Sequence, residues 1–106
     1  MNNSPEDLSR LFWKSNLTIR YGVAENLYGH AAIDAYRKTR AASGGALKRI
    51  LTRTVITTFG RDFGVADTEF LRTKGGRTGR QSQTWVRFSE GWRIVSAHVS
   101  FTQESD

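Results

Sequence analysis

The stretch from Arg80 to Phe101, RQSQTWVRFSEGWRIVSAHVSF, constrains this chain more than any other. Two runs of strand-forming residues, 81–88 and 92–101, are separated by Ser89-Glu90-Gly91, whose glycine can take the positive φ that a tight connection requires. The pattern predicts a β-hairpin. In its first arm Gln81, Gln83, Trp85 and Arg87 share one face, and Ser82, Thr84, Val86 and Phe88 share the other. A strand that only packed would gather its apolar residues on one side, and this one does not. Two glutamines beside a tryptophan suit the wall of a hollow that orients a small polar ligand by hydrogen bonds. Alternation alone leaves the inward face open, because Val86 and Phe88 argue for the opposite side.

Upstream, Ser4-Pro5-Glu6-Asp7 has the order of a helix start: a capping hydroxyl, a proline in the first turn, then acids at the positive end of the dipole. Leu8, Leu11 and Phe12 would form the packed face of that short helix. Residues 17–21 then alternate as a strand, with Ile19 and Tyr21 on one side and Thr18 and Arg20 on the other. A second extended piece, 25–28, ends at Gly29. From 30 to 42 the spacing becomes helical, with Ala32, Ile33, Ala35 and Tyr36 as the apolar stripe and Asp34 one turn before Arg37 and Lys38. Ser43-Gly44-Gly45 stops it. Two further strands, 48–59 and 63–71, join across Gly60-Arg61-Asp62, and a glycine-rich loop, 74–79, leads into the closing hairpin.

A helix, two short strands, a second helix and four long antiparallel strands give an α+β domain spanning residues 1–106. A twisted sheet of that kind buries one face under the helices and curls into a cone-shaped barrel open at one end. With 106 residues there is room for one domain and one modest core. The absence of cysteine excludes disulfides and thiolate catalysis, and fits a reducing compartment. No apolar run is long enough to span a membrane and the N-terminus lacks the pattern of a signal peptide, so a cytoplasmic protein is expected. The net charge of +6 is spread one or two arginines per element, which reads as a solvated surface rather than a nucleic-acid face. No metal-ligand spacing and no phosphate-binding glycine loop follows a strand, so neither a metal nor a cofactor is expected.

The segments LFW, TIRYG, ENLYG, TVITTFGRDF, TEF, GRQSQTWVRF and EGWRIVSAHVS resemble the AtzH-like family, also called the HpxZ-like proteins of oxalurate catabolism. That family belongs to the nuclear-transport-factor-2-like superfamily, with its cystatin-like and SnoaL-like folds. The resemblance implies a cone-shaped α+β barrel, a homodimer through the outer face of the sheet, and a part in the breakdown of ureides or carboxylated ureas. A decarboxylase or hydrolase acting on a small polar carboxylated substrate is the activity it implies, with a non-catalytic ligand-binding or accessory module as the alternative. Members carry a longer first helix that brings a tyrosine to the pocket, and this sequence begins downstream of it.

Arg20, within TIRYG, is the foremost candidate: pointing into the cone, it would grip a carboxylate through two parallel hydrogen bonds in a medium of low dielectric. Gln81, Gln83 and Trp85 would orient the urea. His98 is the candidate general base, grouped by alternation with Trp92, Ile94, Ser96 and Ser100, although a histidine so placed also suits packing or a subunit interface. Asn26 and Tyr28 are candidates for the mouth of the pocket.

Overall fold

Gly29, at φ 89°, is where the chain turns from extended to helical backbone. A Cβ there would make only ordinary contact with the backbone of Asn16, so it is the backbone conformation, and not space, that calls for glycine. Before it come β1 (Ile19–Tyr21) and β2 (Asn26–Tyr28); after it come the helix α1 (His30–Ala42) and four long strands, β3 (Arg49–Phe59), β4 (Phe63–Arg72), β5 (Thr78–Phe88) and β6 (Gly91–Phe101). The computed structural model describes residues 9–42, 49–72 and 76–102. The expected helix start at Ser4 and the expected stop at Ser43-Gly44-Gly45 lie outside them. No helix among the described residues is long and apolar enough to cross a membrane.

The strands form one sheet in the order β2-β1-β6-β5-β4-β3. Among these six strands the β1–β6 pairing is parallel and the others are antiparallel. The closing hairpin forms around Gly91 at φ 119°, but β5 begins at Thr78, inside what the sequence reads as a loop. Register shifts between Leu51 and Arg53 in β3, and between Thr84 and Trp85 opposite β6, are the bulges that bend a twisted sheet. The sheet curves without closing, so β2 and β3 remain as edges of a cone-like α+β fold.

Leu11 and Phe12 depart from their expected helical face. Only Ser9 and Arg10 of the described residues before them are helical, and Phe12 instead forms a parallel bridge to Ile94. The Trp13 amide donates to the Ile94 carbonyl at 2.9 Å and the Ile94 amide to the Leu11 carbonyl at 2.6 Å. This run therefore lies along β6 beyond the end of β1 and continues the sheet there. It buries Phe12 and leaves Leu11 exposed.

Phe12, Ile33, Ile94 and Ala97 make the main core, with Leu27 and Trp85 packed against it. Ile33 from α1 is fully buried and docks the helix on β6. Ala35, expected in the apolar stripe, is exposed; the inward face instead runs through Ile33 to the half-buried Tyr36 and Arg37. A second packed group sits at the far end of the sheet, where Phe70 is buried edge-on to Phe101. All eleven residues of β3 are exposed. Its projection helps explain a radius of gyration of 14.2 Å, against about 13 Å for a compact chain of this length.

Candidate anion site on the helix-facing side of the sheet

The register decides which side chains meet. Leu27, Arg20, Ala97, Gln83, Ala66 and Ile56 form one row across the six strands. Since Ala97 and Leu27 pack with Ile33, this row faces the helix. Arg20 and Gln83 flank the small side chain of Ala97, so their strands lie about 10 Å apart with little bulk between them. The adjoining row places Gln81 between Val99 and Thr68, and Trp85 lies opposite Ile94. Arg20, Gln81, Gln83 and Trp85 thus share the enclosed face.

Gln81 is buried, and Thr68 donates to its backbone carbonyl at 3.5 Å. The Trp85 indole donates to Gln83 Oε1 at 3.1 Å, which fixes the amide so that its NH₂ remains directed elsewhere. Arg20 is held twice. Its Nη1 donates to Glu25 Oε2 at 3.1 Å, and its guanidinium carbon lies 5.6 Å from the centre of the Tyr36 ring on α1. Its Nε is buried and has no hydrogen-bond partner. An unpaired buried donor of this kind is costly unless something accepts from it.

Two more guanidinium groups stand close by. Arg37, from α1, lies 5.1 Å over the Phe12 ring, and its Nε is likewise buried and unpartnered. Arg49, from β3, lies 4.7 Å over the Phe70 ring. Burial pushes the Arg37 guanidinium below its ordinary value, down to about 10, and the positive charges of Arg20, Arg49 and Arg40 push the same way. Arg49 is exposed as a residue, but its guanidinium lies against the Phe70 ring; its pKa is lowered first by the solvent lost there, then by the charges of Arg20 and Arg72. A group whose pKa falls on folding destabilises the fold while charged, and the cost fades as pH rises through its folded value. An anion placed beside these guanidinium groups would oppose that shift, so negative charge on this face would meet a favourable electrostatic term.

Three candidates from the sequence do not join the group. Asn26 and Tyr28 pair with Tyr21 and Ile19, on the face opposite Arg20, and strand alternation gives the enclosed position to Leu27 instead. Both are exposed. His98 pairs with Tyr21 and Ser82 on that outer face, with its ring edge-on to Tyr21 at 5.6 Å. The bulge at Val95 explains the difference: it brings Ile94 and Ala97 to the same buried face and sends Ser96 and His98 outward. Simple alternation places Ile94 with His98. Glu25 and Tyr36, by contrast, touch Arg20, and Arg37 and Arg49 bring further guanidinium groups to the region, although the sequence pattern singles out none of the four as a site residue. The signal for Arg37 was its position four residues after Ile33, on the same helix face.

Two open depressions are found among the described residues, one of them reaching Gln81. One, of about 520 Å³, is lined by Asp62, Arg87, Phe88, Ser89 and Gly91 at the hairpin ends. The other, of about 270 Å³, borders Arg53, Asp67, Glu69 and Arg80 of the outer face and also Thr68 and Gln81.

The fold and much of the sequence are shared with solved structures. A Pectobacterium atrosepticum protein of unknown function is 52% identical, with a TM-score of 0.88 over 95% of this chain and 77% of that one. A cystatin-like fold protein from Burkholderia xenovorans is 43% identical, with a TM-score of 0.87 over 97% and 80% of the two chains. A nuclear-transport-factor-2-like protein from Salmonella enterica serovar Typhimurium is 27% identical, with a TM-score of 0.73 over 96% and 80%. No curated protein matches the chain. With its match to the family extending over residues 1–105, the chain belongs to the AtzH-like family.

Proposed function

We propose that the protein acts on a small carboxylated urea, with Arg20 as the carboxylate-binding group and Gln81 and Gln83 orienting the urea. The observation that carries this reading is the buried, unpartnered Nε of Arg20 on the helix-facing side of the sheet, two strands from Gln83. In a guanidinium, Nε and Nη2 lie along one edge and match the two oxygens of a carboxylate. Glu25 occupies Nη1 and leaves that edge for a ligand.

In the proposed decarboxylation the bond between the urea nitrogen and the carboxylate carbon breaks and carbon dioxide leaves. The electron pair stays on nitrogen, which takes a proton from water to give the neutral urea. Arg20 aligns the departing carboxylate, and the side-chain amides stabilise charge spreading onto the urea oxygen. The test is release of bicarbonate from urea-1-carboxylate, followed against the uncatalysed rate. Acceleration that disappears when unsubstituted urea is offered as a competitor would contradict a carboxylate-anchored site; acceleration indifferent to urea supports it.

A second reading is a ligand-binding module without chemistry. The outward position of His98 favours it, because that removes the sequence's candidate general base from Arg20. Tight binding of urea-1-carboxylate with no acceleration selects this reading. In either case we take the working form as a homodimer through the outer sheet face, where Ile50, Val55, Phe59, Phe63 and Leu71 expose apolar surface. Sedimentation equilibrium should read twice the 12.0 kDa chain mass; a monomer at micromolar concentration removes this part.

A further inference from the structure

The turn between β1 and β2 does more than connect two strands. It is closed by the Gly22 amide donating to the Glu25 carbonyl at 2.8 Å, and it folds the Glu25 side chain back over Gly22 toward Arg20. A Cβ at Gly22 would collide with the Glu25 carboxylate. Gly22 is not in the left-handed region, so the turn needs glycine here for space and not for backbone conformation. The cleared space is what lets Glu25 reach Nη1.

We infer that Glu25 is a positioning residue that holds Arg20 by Nη1 so that the Nε–Nη2 edge is presented to the ligand carboxylate. This rests on the proposed role of Arg20 and deepens it. A long arginine side chain loses considerable rotamer freedom on being fixed, and fixing it before the ligand arrives removes that cost from the binding step. Tyr36 restrains the guanidinium from the helix side, at 5.6 Å. Glu25 restrains it within its own plane, and with side-chain exposures of 15% for Arg20 and 25% for Glu25 the pair is sheltered enough for the contact to persist. The arrangement also sets a sign. If Glu25 positions Arg20, removing its carboxylate weakens ligand binding; if Glu25 competes for the same edge, removing it strengthens binding.

The experiment uses the full chain, with oxalurate as the probe and two readouts. In the ligand-free protein, side-chain ¹⁵N NMR of Arg20 should show slowed rotation of its Nη groups, and this should be lost in Glu25→Gln and in Gly22→Ala. Gly22→Ala keeps the carboxylate but takes away its place, which separates position from charge. In calorimetry, Glu25→Gln and Gly22→Ala should each bind oxalurate about tenfold more weakly than the wild type, with Glu25→Asp recovering part of the loss. Unchanged or tighter binding by Glu25→Gln overturns the inference, as does an Arg20 NMR signal indifferent to both substitutions. A wild type that fails to bind oxalurate overturns the carboxylate-binding role of Arg20 instead, and the ligand-free NMR then decides the role of Glu25 alone.

Discussion

Replacing Arg20 with alanine will lower kcat/KM for urea-1-carboxylate by about 10²- to 10³-fold, the equivalent of two charge-assisted hydrogen bonds. The fold will survive, because Arg20 is not one of the core residues and its removal relieves repulsion toward Arg37 and Arg49. Arg20→Ala should therefore melt close to the wild type while its activity collapses. Arg20→Lys should recover little, since a point charge cannot present two parallel donors. Turnover within threefold of the wild type in Arg20→Ala would end the proposed role. A large fall in melting temperature would reassign the residue to structure.

Gly79→Ala should destabilise the protein by about 2–3 kcal/mol, the ordinary cost of forcing atoms into a packed site. Gly79 lies opposite Phe70 in the β4–β5 register, and the Phe70 ring covers the bare backbone. A methyl group there would lie within the space the ring occupies. The ring has nowhere easy to go: Phe101 meets it edge-on at 5.9 Å and the Arg49 guanidinium lies over it at 4.7 Å. Displacing Phe70 therefore also displaces Arg49, and anion binding should weaken along with stability. Chemical denaturation measures the first effect, and a midpoint unchanged from the wild type would show that the ring moves freely.

Much of this architecture is legible in the residues because local signals and tertiary packing agree. Positive φ at Gly29 and Gly91 falls where strands were expected to end, and Arg20 alternates away from Ile19 and Tyr21 as a short strand requires. The enclosed side of β5 was not legible. Its period of two is compatible with either face, and only the cross-strand partners Ala97 and Val99 settle that Gln81 and Gln83 face the helix. His98 was misgrouped because one extra residue at Val95 inverts the alternation within a strand that otherwise reads as regular. Arg37 was hidden by a competing local reading. Asp34 does pair within the helix, but at 3.0 Å with Lys38, which leaves Arg37 to turn inward.

Ala97 and Ala66, the two small residues on either side of Gln83, act as a floor whose height is set by single methyl groups. Enlarging Ala66 to valine or leucine would raise that floor beneath the amide while leaving the guanidinium and its carboxylate partner untouched. Ala97, and not Ala66, stands between the Arg20 and Gln83 strands, so on the proposed reading the span open between charge and amide depends on the single methyl group of Ala97.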